Sequence, residues 1–358
     1  MDEELAGPQS GDMDSLAPTA FNPGTTYLNT ASTGLLPLDA VTAMHEATLA
    51  ASIGLPTDMF ADVEASRAVF ARLAGVPVSR VAAGASVAVY TGLIATSLPA
   101  GAEVLVADDD FSSLINPFFV RADLKVRTAP LESLAEAVRP GTDLVAVSAV
   151  QSADGRIADL SSIRDAARAH GARTLVDASQ AAGWLPMTAA QDDYTVAVAF
   201  KWLTCPRGIT FFVVPEDLGA LTPVFAGWVA GEEPWDSCYG PVAELARSAR
   251  RFDESPSLFS YAGARHSLAL VEEIGPEAIY AHNTALADRF RAGLARLGHP
   301  VIAAPGSAIV SAPGLGQRQS DLSKAGVQLS DRAGNLRAAF HLYNTSQDVD
   351  RALDIIEG

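Results

Sequence analysis

Lys201 stands in DDYTVAVAFKWLTCPRG (192–208), with Ala199 and Phe200 before it and Trp202 and Leu203 after it. Such company strips water from an ammonium group, lowers its pKa and leaves an amine able to attack a carbonyl. A lysine that merely snorkels from a strand end would show the same local pattern. Upstream, Asp177 closes an apolar run in TLVDASQAAGWLP (174–186). A carboxylate there is costly unless it is partnered, or it caps the turn that follows. Taken together, the two residues suit pyridoxal phosphate (PLP) chemistry. That chemistry needs an amine to condense with the cofactor's aldehyde and an acid to keep its pyridine nitrogen protonated.

Elements of a particular kind must hold these groups. EVLVADD (103–109), KVRTAP (125–130), DLVAVSAV (143–150), RTLVDAS (173–179) and ITFFVVP (209–215) read as strands rich in Val and Leu. LESLAEAVR (131–139) and LSSIRDAARAHG (160–171) read as helices between them, the second stopped by Gly171. Near-continuous apolar strands separated by helices predict an α/β fold with a mostly parallel sheet covered on both faces. Ligands of such sheets lie outside the carboxyl ends of the strands, which is where Asp177 and Lys201 fall. Expected boundaries are a flexible tail over 1–20, a large domain over 40–250, and a small α+β lobe from both chain ends (21–39 and 255–358).

Composition removes several classes of function. The chain has 42 acidic and 25 basic residues, a net charge of −17, which disfavours nucleic acid and anionic membrane surfaces. Two cysteines, Cys205 and Cys238, exclude a disulfide scaffold or a cysteine-built metal site. The histidines at 45, 170, 266, 282, 299 and 341 lack ligand spacing, so no metal is expected. The acidic start MDEELAGPQSGDMDSL is unlike a signal peptide, and the uncharged run 81–102 is diluted by Gly, Ser, Thr and Pro. A cytoplasmic enzyme without a membrane span is expected. GxxxxGK[ST] and GxSxG motifs do not occur.

Four segments resemble the class V aminotransferase-type PLP enzymes, of fold type I, which include cysteine desulfurases, kynureninase and isopenicillin-epimerase-like proteins. They are YLNTASTGLLP (27–37), DASQAAGWLP (177–186), FKWLTCPRG (200–208) and LRAAFHLYNTSQDVDRALD (336–354). GWVAGEEPWDSCYG (227–240) and ARRFDESPSLFSYAG (249–263) are similar to the carbon–sulfur lyases of ergothioneine and lincosamide pathways. The resemblance implies that Lys201 carries the cofactor and shuttles protons, while Asp177 faces the pyridinium. It implies that Gln180 and Gln151 lie near the phenolic oxygen, Phe111 stacks on the ring, and Ala85 and Ser86 bind phosphate at a helix start. Trp228 and Ser255 would reach the phosphate from a second subunit. Arg337 and Asn29 would bind the substrate, Arg337 through its α-carboxylate. Read without the family, residues 84–86 are a plain turn, Phe111 a core aromatic and Arg337 a surface cation beside Asp331.

The function so implied is β-elimination on an S-substituted cysteine, giving thiol, pyruvate and ammonia, in a homodimer with shared sites. Alternatives are an aminotransferase, an epimerase or a decarboxylating oxidative deaminase; a non-enzymatic binding protein is a further one. Two departures from the family stand out. Val198 and Phe200 replace a serine and a histidine, and residues 311–336 hold no cysteine.

Overall fold

A computed structural model describes residues 14–55, 58 and 60–358. In chain order its elements are β1 (Thr26–Tyr27), α1 (Leu38–Ser52), α2 (Ala61–Leu73), β2 (Val81–Gly84), α3 (Val87–Ser97), β3 (Glu103–Ala107), α4 (Ser112–Phe119), β4 (Lys125–Ala129) and β5 (Thr142–Ser148). There follow α5 (Leu160–His170), β6 (Arg173–Asp177), β7 (Tyr194–Val198), β8 (Thr210–Val213), α6 (Leu258–Ile274) and α7 (Pro276–Arg296). The chain closes with β9 (Ile309–Ala312), α8 (Gln319–Lys324), β10 (Val327–Gln328), β11 (Ser330–Arg332), β12 (Asn335–Ala339) and α9 (Ser346–Glu357).

Seven strands form the central sheet in the order β2-β8-β7-β6-β5-β3-β4. Only β8 runs against its neighbours; the other pairings are parallel. Strands β3 and β7 are buried along their whole length, as their unbroken apolar runs require, whereas edge strand β4 exposes Lys125 and Thr128. The two-residue period of β8 sends adjacent phenylalanines to opposite faces. Phe211 stacks on Phe70 with ring centroids 4.4 Å apart, and Phe212 stacks on Tyr90 at 4.6 Å. Each pair anchors a separate core, one beneath α2 and α6, the other beneath α3 and α4.

The smaller lobe is built on β11-β12-β9, all antiparallel, with α7 and α9 packed around Phe290, Leu336, Phe340 and Leu353. Thr345 and Asp348 close a reciprocal capping box at the start of α9. The N-terminal segment joins this lobe through parallel pairing of β1 with β10 and a bridge from Asn29 to Ala339.

Three expectations about the elements need correction. LESLAEAVR makes only a 3-10 turn at Leu131–Ser133, although Leu131, Leu134 and Val138 stay buried. Pro140 cannot continue a helix and biases Arg139 out of the helical region, which works against a helix at that end of the stretch. The expected tail reaches less far than residue 20: the main-chain N–H of Leu16 donates to the carbonyl of Leu342 (2.8 Å), and Ala17 and Phe21 are buried; residues 1–13 lie outside the described part. Helix α6 was expected in the small lobe, yet Tyr261, Leu268 and Val271 pack into the core that holds Phe70 and Phe211. The run 81–102 folds as β2 and α3, and among the described residues no helix is long and apolar enough to cross a membrane.

Candidate active site

Lys201 lies three residues beyond β7, in a tight turn closed by Thr204 N–H donating to the Lys201 carbonyl (3.1 Å). Distant parts of the chain fix this turn. Trp202 donates through Nε1 to Gln180 Oε1 (2.7 Å), and His341 Nε2 donates to the Trp202 carbonyl (2.8 Å). From the N-terminal segment, Gly34 N–H donates to the Phe200 carbonyl (2.9 Å). A Cβ on Gly34 would come within 2.0 Å of the Lys201 carbonyl oxygen, so only glycine lets that segment lie so close.

The amine projects into a cavity of about 420 Å³ at the carboxyl ends of the sheet strands. Its walls include Ala85 and Ser86 after β2, Phe111 after β3, Ser148 at the end of β5, Asp177 at the end of β6 and Val198 at the end of β7. Lys201 is 7 % exposed, and its Nζ lies 5.1 Å from the Phe111 ring centre and 5.9 Å from that of Phe200. Burial pulls the amine down to about 8; Asp177 opposes this, while Arg337, Arg207 and Arg332 push the same way as burial. The Asp177 carboxyl is raised by its own burial and steadied by Ser179 N–H at 2.8 Å and by the Lys201 charge. A larger cavity of about 530 Å³ opens beside Phe70, Leu185 and Met187, but apolar side chains dominate it.

Of the residues named from sequence, Lys201, Asp177, Gln180, Phe111, Ala85 and Ser86 share this cavity. Phe111 is 45 % exposed, so it is a wall residue and not a core aromatic. The Gln180 amide donates to the Ala31 carbonyl and to Ser152 Oγ, both at 2.9 Å. Gln151, Asn29, Arg337, Trp228 and Ser255 do not line it. Gln151 Nε2 turns instead to Asp110 (3.2 Å), and Asn29 Oδ1 accepts from Ser32 Oγ (2.7 Å). Arg337 is 1 % exposed, so it is not the surface cation that its local sequence suggested. It stands directly behind the wall, donating to Ser330 Oγ (3.2 Å), Ser32 Oγ (2.8 Å) and both the carbonyl and hydroxyl of Ser152. Burial, then the Arg332 charge, hold its guanidinium below the usual range. Trp228 packs on Phe60 and Trp235, and Ser255 is exposed.

The structure adds residues that the sequence did not single out. Buried Asp110 accepts from Phe111 N–H (2.6 Å), Ser148 N–H (2.9 Å), Ser148 Oγ (2.5 Å) and Gln151, so it sets the backbone from which Phe111 projects. Ser32 and Ser152 form the wall in front of Arg337, and the exposed side chains of Arg207 and Arg332 complete the lining. Arg207 lies within a quoted motif, but its part in the wall depends on long-range packing against Thr33.

A cofactor with an aldehyde, a pyridine ring and a phosphate fits these walls. Lys201 would hold the aldehyde carbon, Asp177 would face the ring nitrogen, and Phe111 offers an aromatic face. The start of α3 offers main-chain N–H groups beyond Ala85, whose own N–H is held by the Glu254 carboxylate (2.8 Å), and the hydroxyl of its cap residue Ser86 is not used in capping.

Residues 26–311 match the family described as aminotransferase class-V. The chain is 30% identical over 394 aligned positions to isopenicillin N epimerase of Streptomyces clavuligerus, covering 96% of this chain and 95% of that protein. It is 29% identical over 312 positions to the uncharacterized aminotransferase YcbU of Bacillus subtilis (strain 168), covering 82% of each. Among solved structures, a cystine C–S lyase in complex with its product cysteine persulfide superposes with a TM-score of 0.84 at 23% identity, over 93% of this chain and 97% of that one.

Proposed function

Because the chain belongs to the aminotransferase class-V family, whose cofactor is pyridoxal 5′-phosphate, we propose that it is a C–S lyase that eliminates the thiol from an S-substituted cysteine. Thiol, pyruvate and ammonia are the products. The observation that carries this reading is the place of the two cysteines. Sulfur transfer to the protein needs a thiolate at the site. Cys205 is fully buried beneath the Lys201 turn, and burial pushes its thiol far up from its usual value. Cys238 is exposed and does not line the cavity. Elimination requires no protein thiol.

When bound, the cofactor supplies an electron sink for negative charge at the substrate's α-carbon. Asp177 would hold the cofactor's pyridine nitrogen protonated, and its burial would shield that pairing from water. Arg337 would take the α-carboxylate by releasing the Ser32 and Ser152 oxygens that now hold its Nη groups. Lys201, with its lowered pKa, takes the α-proton at Nζ; the β-thiolate then departs. Phe111 and Phe200 cover the amine and limit competing protonation by water.

The kinship with isopenicillin N epimerase favours a second reading, inversion at the α-carbon. That outcome needs a second proton donor besides Lys201, and among the described residues no histidine, cysteine or tyrosine lines the cavity. The elimination reading is therefore preferred. We further propose a cytoplasmic homodimer: Trp228 and Ser255 lie off the cavity of their own chain, and Leu49, Ile53, Trp235 and Tyr239 expose apolar surface for a partner.

A Cys205→Ser, Cys238→Ser double variant tests the lyase reading. It should still release thiol and pyruvate from a cysteine S-conjugate, and the wild-type protein should acquire no extra sulfur by mass spectrometry. Loss of turnover in the folded variant, or a persulfide on either cysteine, would replace elimination by sulfur transfer.

A further inference from the structure

Besides the hidden Arg337, two guanidinium groups stand on the wall of the Lys201 cavity itself, those of Arg207 and Arg332. They arrive from separate parts of the fold. Arg207 follows Lys201 in the large domain, and Arg332 ends β11 in the small lobe. Neighbouring residues of the N-terminal segment bring them to one rim: Arg207 Nη2 donates to Thr33 Oγ1 (2.8 Å), and Arg332 Nη2 donates to Ser32 Oγ (3.0 Å). Their remaining contacts are the Asp331 carbonyl for Arg332 and the Phe200 ring, 4.2 Å away, for Arg207.

Neither arginine forms an ion pair among the described residues. This happens in a chain where acids outnumber bases by 42 to 25 and where Arg72, Arg139 and Arg164 each hold a carboxylate. Among the described residues the only acidic side chain on the cavity wall is Asp177, whose charge acts on Lys201. An α-carboxylate answers one positive charge, the one assigned above to Arg337 behind the wall. Two exposed cations then remain at the mouth, with planar forks suited to another carboxylate.

We propose that Arg207 and Arg332 form a second anion subsite, so that the amino-acid substrate carries a further carboxylate at the far end of its side chain. The inference rests on the reading of the cavity as an amino-acid site and deepens it by naming the substrate class. A neutral amide of the same shape cannot pair with the two guanidinium groups, and this sets the test.

The PLP-loaded enzyme would be titrated with matched acids and amides that differ in chain length: aspartate and asparagine, glutamate and glutamine, 2-aminoadipate and its side-chain amide. In parallel, kcat/KM would be measured for S-carboxymethylcysteine and S-carbamoylmethylcysteine. At one chain length or more the acid should win by at least about tenfold. In both R207Q and R332Q that ratio should fall several-fold. Equal behaviour of acid and amide at every length would overturn the subsite, as would a preference that survives in both variants. A loss of PLP affinity in R207Q above about tenfold would assign Arg207 to the cofactor and overturn it as well. Acid preference in the binding series without thiol or pyruvate from either S-conjugate would uphold the subsite and refute the lyase. Thiol and pyruvate from both S-conjugates, with acid and amide equal in kcat/KM and in the binding series at every length, would do the reverse.

Discussion

The Lys201 amine offers the most direct check on the electrostatics of the cavity. Its pKa of about 8, against 10.5 for an ordinary lysine, corresponds to about 3.4 kcal/mol of preference for the neutral form. At pH 7 about a tenth of the amine is neutral, against about one part in three thousand for an exposed lysine. The folded pKa is the lower one, so below about pH 8 this amine costs the cofactor-free protein stability, and the cost is relieved as pH rises from 8 toward 10.5. Asp177 opposes the burial and holds the pKa up. Replacing it by asparagine removes the opposite charge and leaves the burial, so the pKa must fall further. An opposite charge at close range is worth roughly one to three pH units. Asp177→Asn should therefore move the titration midpoint of Lys201 down by at least about one pH unit. Trace acetic anhydride labelling of the cofactor-free protein across pH, with Lys201 read by mass spectrometry against exposed Lys125, measures both midpoints. A wild-type midpoint at the ordinary lysine value, or an upward shift in the variant, would refute the burial-plus-carboxylate account.

Two further outcomes follow from the same geometry. Arg337→Met should weaken amino-acid binding by roughly 2–5 kcal/mol and change cofactor affinity far less; an unchanged spectral titration with an amino acid would move the carboxylate site elsewhere. Sedimentation should give a two-fold dimer whose dissociation on dilution costs cofactor affinity, since Trp228 and Ser255 lie off their own chain's cavity; a fully active monomer would refute this.

The sheet was legible because its signals are local. Long apolar runs mark β3, β5 and β6, and residues at or just past their ends do line the cavity, as strand polarity requires. Where the sequence misled, a competing local rule decided the outcome. LESLAEAVR has helical spacing but is followed at once by Pro140, and Leu131 and Leu134 reach the core from a 3-10 turn and the residue after it. In the site, Lys201 and Asp177 were readable from their immediate company. Asp110 was not, because DDDF offers three carboxylates and only packing against Ser148 picks out the third. Once Asp110 is buried it takes the amide of Gln151, and so that side chain is drawn away from the cavity. Arg207 and Arg332 escaped notice for a related reason: their anchors, Thr33 and Ser32, are distant in the chain.

The same long-range contacts explain how the reactive amine can titrate while its scaffold does not. The carbonyl of Trp202, beside Lys201, accepts from His341 Nε2, which fixes the proton on that nitrogen. Nδ1 is then free to accept from Asn283 Nδ2 at 3.3 Å, and this pairing is consistent only with the neutral ring. Burial, working against the Trp202 bond, lowers the imidazole to about 3. The joint between the small lobe and the Lys201 turn therefore keeps one polarity throughout the range in which Lys201 gains and loses its proton. Gln180 fills the complementary role from the other side, with its oxygen held by Trp202 and its amide by Ala31 and Ser152. Proton transfer at Lys201 Nζ thus leaves intact the hydrogen bonds that aim it, and pH dependence near 8 does not come from a loosening of the turn that carries it.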